Sequence, residues 1–327
     1  MIASPGDGVE TMVGSLEAIE AAERRRALVI INPYATSVSD RLRTVVLSAL
    51  SSRYEVEAVA TNARGHATEI ATEATEEDYD VVIAFGGDGT VNEVANGLIG
   101  SQTPLTCLPG GSANVYCKLL GIPGDIVDAT EHLLAMADRW TPRQVDVGTV
   151  EGRHYTFSAG LGIDASVVAR VDAAPGLKSR FGANFFLATA VWTFTRHYLF
   201  HPPRMLVSVG DETITGITTI VQNAEHYTYF NDRAINLADG ATLDGGTLAG
   251  VVLRRGSLLD VPLLLRLAVT RSAHAKGRQI AGFSDSQNVT VTSVDGRPLP
   301  LQIDGDFIGE VTEARFTVRP AALTVVA

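Results

Sequence analysis

The sequence predicts a doubly wound α/β domain followed by a mainly antiparallel β domain, on three observations. From 27 to about 142, short apolar runs alternate with stripes of helical period. Past about 143, closely spaced short strands with turn residues between them replace that alternation. Glycine-rich turns in the first half fall where the apolar runs end. Strand-helix alternation implies a parallel layer with helices on its faces, and clustered strands imply antiparallel pairing. A chain of 327 residues is comfortable for two domains, and its 46% apolar content supplies the cores.

Residues 1–26 are small, acidic and polar, and end in "EAIEAAERRR". They lack the apolar centre of a secretory signal and read as an extension. The runs "ALVII" (27–31), "VVIAF" (81–85) and "LTCL" (105–108) are continuous and bounded by turn residues, as strands buried on both faces are. Helices are expected over 40–51, 66–77, 90–99, 112–120 and 125–139. Thr90 and Glu93 have capping-box spacing, so Thr90 is the expected N-cap of its helix, and Ser112 that of a later one. In the second half, "VDVGTV", "HYTFSA", "RMLVSVG", "ETITGITTIVQNA", "TLAGVVLRR", "NVTVTSV", "LPLQID" and "ARFTVRP" read as strands. "VGDET" and "VDGRP" read as hairpin turns, with helices near 178–200 and 258–273.

Net charge is 26 minus 37, or −11, which excludes a duplex nucleic-acid binder relying on a basic face. Cys107 and Cys117 fit two reduced, buried thiols of an intracellular protein. No stretch has the roughly 18 uncharged apolar residues that spanning a bilayer needs. The expectation is a soluble, cytoplasmic protein.

In "FGGDGTVNEV" a strand ends at Phe85 and a helix follows, striped by Val91, Val94, Ala95, Leu98 and Ile99. Gly86, Gly87 and Gly89 let backbone amides approach a ligand, and the helix start behind them is positive. Both favour phosphate. Asp88 would repel a phosphate unless a cation mediates, so the turn points to a nucleotide with Mg²⁺. No "GxxxxGK[ST]" occurs, so this is not a P-loop. A second glycine turn, "PGGSAN", and a third loop, "NPYAT", leave their strands at the same edge, where doubly wound sheets bind ligands.

These residues resemble the diacylglycerol kinase catalytic family of lipid kinases. "GGDGTVNEV" is similar to its nucleotide loop, "PGGSAN" to its second loop, "FSAGLGIDASVV" to the opening of its second domain, and "LQIDGD" to its late Asp-Gly-Glu element. The match runs from about 27 to 327 with the motifs in family order. It implies a nucleotide domain over 27–142, completed by strands at about 310–327, and a β-rich lipid-substrate domain over 143–309 across an active-site cleft. It implies transfer of the ATP γ-phosphoryl to a lipid hydroxyl, that of diacylglycerol or a sphingoid-type lipid. Transient membrane contact goes with such a substrate, and dimers occur in the family. By this resemblance Gly86, Gly87, Asp88, Gly89, Thr90, Asn92 and Glu93 hold the phosphates, with Asp88 beside Mg²⁺. Asn32, Pro33, Thr61, Gly111, Ser112 and Asn114 line the nucleotide, joined by Asp304 and Gly305 of the late element. Asp306 is the base that takes the hydroxyl proton.

The chain also departs from the pattern. "NPYAT" stands for Asn-Pro-x-Ser-Gly, Val115 for an Asp, Asp306 for a Glu, and Gly245 for an acidic residue of a structural metal stretch. The first glycine turn alone is shared with NAD kinases, so a soluble acceptor is one alternative, and a nucleotide-binding regulator without turnover is another. "SAGLGIDA" matches a dinucleotide fingerprint, but its flank reads as β-rich with no strand-helix unit following. His197 and His201 have metal spacing but read as an ordinary helix end.

Overall fold

A computed structural model describes residues 24–35, 39–173, 185, 188–198, 202–230, 233–256 and 279–327. The first layer consists of β1 (Arg25–Ile31), α1 (Asp40–Leu50), β2 (Tyr54–Ala60), α2 (His66–Ala74), β3 (Val81–Gly86), α3 (Asp88–Leu98), β4 (Leu105–Pro109), α4 (Val115–Leu119) and α5 (Ile126–Met136). Its strands run parallel in the order β2-β1-β3-β4. The apolar runs of β3 and β4 are buried throughout, because helices cover both faces of the sheet. The sequence reading missed β2. "YEVEAVA" alternates glutamate with apolar residues because it is the edge strand and exposes one face.

The second part contains β5 (Arg143–Val150), β6 (Arg153–Tyr155), β7 (Ser158–Leu161), α6 (Ile163–Asp172), a π-helical turn (Phe194–Tyr198), β8 (Met205–Val209), β9 (Glu212–Gly216), β10 (Thr218–Gln222), β11 (Thr228–Phe230), β12 (Arg233–Ile235), β13 (Leu248–Leu253), β14 (Ile280–Ser286), β15 (Asn288–Ser293), β16 (Leu299–Ile303), β17 (Asp306–Val311) and β18 (Glu313–Val325). The fold is the expected α/β layer with a mainly antiparallel β part.

The two parts share a sheet. β18 pairs antiparallel with β15 and β5, then reaches β4, where Val325 lies parallel to Leu105. One sheet therefore runs β2-β1-β3-β4-β18-β15-β8-β9. The register of β18 against β5 shifts between Arg319 and Leu323, where Ala321 takes φ 50° and its N–H donates to Asp146 Oδ1 at 2.8 Å. This irregularity lets one strand serve both layers. The second sheet, β14-β13-β10-β7-β16-β17, packs on the far end of the first over Val150, Tyr155, Val207, Val221, Leu301 and Phe316.

Several local expectations need correction. "VGDET" is a hairpin with Val209 opposite Glu212, but "VDGRP" links β15 to β16, which lie in different sheets. A helix does follow "SAGLG": Gly162 is the N-cap of α6, and β7 before it sits inside an antiparallel sheet, which is no Rossmann context. Of the helix expected near 178–200, residues 188–193 are helical and run into the π-helical turn. The expected helix at 258–273, His201, and residues 1–23 of the extension lie outside the described residues. Both cysteines are buried free thiols. Among the described residues, no helix is long and apolar enough to cross a membrane.

Candidate active site at the carboxyl edge of the parallel strands

Four parallel strands deliver the site. β1 ends into Asn32, whose backbone N–H donates to Phe85 O at 3.0 Å and whose amide donates to Thr90 Oγ1 at 3.1 Å. Asn32 Oδ1 also accepts from the Tyr34 N–H, so the side chain organises the loop that Pro33 begins. β2 ends into Thr61, which is nearly enclosed and anchored by its N–H to Ile31 O.

The turns after β3 and β4 touch each other. A Cβ on Gly111 would sit 2.8 Å from Gly87 Cα, and one on Gly87 3.3 Å from Gly111 Cα, so the crossing excludes a side chain on Gly111 and crowds one on Gly87. Asn114 locks the second loop: its Oδ1 accepts from Gly111 N–H at 2.8 Å and its amide donates to Gly111 O at 2.9 Å. The caps differ from expectation. Gly87 is the N-cap of α3, which starts at Asp88, and Thr90 lies inside the first turn with its hydroxyl taken by Asn32. Asn114, in the left-handed region at φ 48°, is the N-cap of α4, while Ser112 stands exposed in the turn. Capping boxes read from spacing fail here because both helices start from glycine-built turns that set their own dihedrals.

Asp88 accepts a hydrogen bond from the Tyr116 N–H at 3.0 Å. Burial pushes its carboxyl up to about 6, helped by the charges of Asp304 and Asp306 and opposed by the Tyr116 and Val115 amides. Val115 itself faces the core. Three carboxylates thus converge on one helix start, and burial also raises Asp304.

The three play different parts. Asp304 is 5% exposed and fully used. Its Oδ2 accepts from Asn92 Nδ2 (2.7 Å), Thr156 N (2.6 Å) and Thr156 Oγ1 (2.8 Å), and its Oδ1 from Phe157 N and Ser158 N (both 3.0 Å). Asp304 therefore stitches α3 to the start of the second part. Its oxygens are thus spent inside the protein, where the resemblance places it on the nucleotide. Gly305, at φ 84°, reverses the chain just beyond and donates to Gln302 Oε1 at 2.8 Å. Asp306 then faces outward, and its Oδ2 would lie 2.8 Å from a Cβ on Gly89. That places a half-exposed carboxylate against the first turn of α3.

Two further expected contacts are occupied by the protein. Glu93 takes the N–H groups of Gly65 (2.9 Å) and Ala67 (3.3 Å), so it caps α2, whose own N-cap Gly65 has no side chain. Asn92 is bound to Asp304 and to His154 O. These side chains fix the helix start; Gly87 and Gly89 leave its amides approachable.

A cavity of 570 Å³ opens beside Gly89 and Asp306, lined also by Arg64, Asn96, Arg153 and Phe307. The sequence reading missed both arginines. Arg64 lies in the loop after the unrecognised strand β2; a strand drawn at 54–60 would have put it on the same edge. Arg153 and His154 come from β6, which pairs with the far half of β5. On the other side of β7, Asp164 accepts from Tyr227 and from Gln302 Nε2, and burial raises its carboxyl.

Replacing Asp304 with alanine would strand five donors between the two parts. We expect a loss of at least about 3 kcal/mol, read as a lower urea midpoint. An unchanged midpoint would show that these bonds do not hold the parts together.

Known proteins are similar to this chain in sequence and in fold. Residues 26–150 match the family described as diacylglycerol kinase catalytic domain. A diacylglycerol kinase of Staphylococcus epidermidis is 26% identical over 306 residues, 88% of each chain. One of Bacillus subtilis is 35% identical over 143 residues, 42% of this chain and 46% of its own. A solved diacylglycerol kinase structure from Bacillus anthracis shares the fold with a TM-score of 0.69 and 17% identity, over 92% of this chain and 96% of that one.

Proposed function

We propose that this chain, a lipid kinase whose residues 26–150 match the diacylglycerol kinase catalytic domain family, transfers the γ-phosphoryl of ATP to the hydroxyl of diacylglycerol or a closely similar lipid alcohol. The observation that supports this reading most is the meeting of Gly87, Gly89 and Asp306. An amide-lined helix start suited to phosphate lies directly against an outward carboxylate suited to a hydroxyl proton.

In this reading the phosphates rest on the α3 start and the crossing turns at Gly87 and Gly111. The acceptor hydroxyl approaches from the Asp306 side. Asp306 takes its proton as the acceptor oxygen bonds to phosphorus and the bond to the departing ADP breaks. Among the described residues, no three side chains are grouped to hold a metal. Mg²⁺ usually takes one or two carboxylates together with substrate phosphates, which suits a metal arriving with the nucleotide. Asp88 would hold it, and it would supply charge that offsets the phosphates.

The alternatives make a direct test. Labelled γ-phosphate is offered to a panel of lipid alcohols in mixed micelles, with NAD as a soluble control. Transfer to diacylglycerol supports the proposal. Transfer to NAD alone would favour the soluble-acceptor kinase, and tight Mg-ATP binding without any transfer would favour a regulator.

A further inference from the structure

The carboxylates converging on α3 have a cationic neighbour whose place suits a role in the reaction. Arg64 Nη2 lies 3.6 Å from Asp306 Oδ2, and the Arg64 side chain is 68% exposed. At that distance the pair is loose and not bidentate, so the guanidinium keeps donors for another anion. An ordinary exposed pair of this kind contributes little stability, which gives the fold little reason for it. Its position says more. Arg64 ends the loop after β2 at the edge where Asn32, Gly87 and Gly111 meet. Its partner oxygen is the one that abuts Gly89 in the first turn of α3. Glu93 of α3 is engaged instead by the Gly65 and Ala67 amides. A triphosphate entering here comes near the carboxylates of Asp88 and Asp306 and needs positive charge in range.

We propose that Arg64 contacts the phosphoryl group during transfer, Asp306 being its partner in the nucleotide-free chain. The inference rests on the kinase reading above. As the phosphorus–oxygen bond to ADP breaks and that to the acceptor forms, the guanidinium donates to the oxygens that spread the charge. The hydroxyl proton goes to Asp306, which Arg64 has released.

The test compares wild type with Arg64→Ala and Arg64→Lys, using Mg-ATP and diacylglycerol in mixed micelles. Thermal melts and calorimetric titration with Mg-ATP accompany the kinetics. Arg64→Ala should lower kcat roughly tenfold to a hundredfold, less than a buried donor would because the side chain is exposed. ATP affinity should change less than kcat, and melting should be unchanged. Arg64→Lys should recover part of the rate by keeping the charge without the fork. An active wild type with an unaffected Arg64→Ala variant overturns this inference alone, as does a loss of ATP binding equal to the loss of rate. A wild type that transfers to no acceptor overturns the kinase reading itself.

Discussion

Asp88→Asn is expected to leave a folded chain with no measurable transfer, a loss of roughly 10³-fold or more. The side chain keeps its shape and an oxygen for the Tyr116 N–H, so the turn survives. What disappears is the charge that would meet a cation at the phosphates. The same substitution has a signature that needs no substrate. The folded chain holds the Asp88 proton up to about 6, above the usual carboxylate range, so it binds that proton more tightly than the unfolded chain does. Its contribution to stability is therefore greatest below the unfolded value and is lost as pH rises through about 6. Wild type should melt progressively lower from about pH 4 to 7, and the variant should show a shallower slope. Some slope remains, because Asp304 and Asp164 are raised in the same direction. Mg²⁺ with nucleotide should restore more stability to wild type at pH 7 than to the variant. Activity near wild type would refute the metal assignment.

The site was legible in the sequence where backbone geometry needs glycine. Gly87 and Gly111 meet at the crossing of the two turns, where a Cβ on Gly111 would lie 2.8 Å from Gly87 Cα, and Gly89 faces Asp306. The wholly buried strands β3 and β4 announced themselves as unbroken apolar runs. The roles of side chains around the turns were less legible. Asn92, Glu93 and Asp304 share a motif with Gly87 and Asp306, yet their polar atoms are spent inside the protein. A motif records that a residue is needed, and a capping carboxylate is needed as much as a contacting one. β2 escaped because an edge strand has only one apolar face, and Arg64 escaped with it. The sheet shared through β18 escaped for another reason. Its pairing joins residues more than 160 positions apart, such as Phe316 with Val150, and local pattern carries no sign of that.

Asp306→Ala separates a contacting carboxylate from a structural one, and the contrast with Asp304 makes it decisive. Asp304 lies two residues earlier, is enclosed, and has five donors on its two oxygens. Asp306 begins β17, is 43% exposed, and faces Gly89 and the cavity. Removing it should change the melting temperature little, while removing Asp304 should change it much. If Asp306 is the base, alanine there should cost about 10²- to 10⁴-fold in kcat with Mg-ATP affinity nearly kept. The aspartate is one methylene shorter than the glutamate the family pattern carries, and here the β16–β17 turn brings it against α3, where a Cβ on Gly89 would already collide with it. Asp306→Glu should accordingly crowd Gly89 and recover less rate than a free extension would. Were Asp306→Ala to weaken ATP binding and rate by the same factor, the carboxylate would hold the nucleotide or its metal. The base would then have to be sought elsewhere in the cavity.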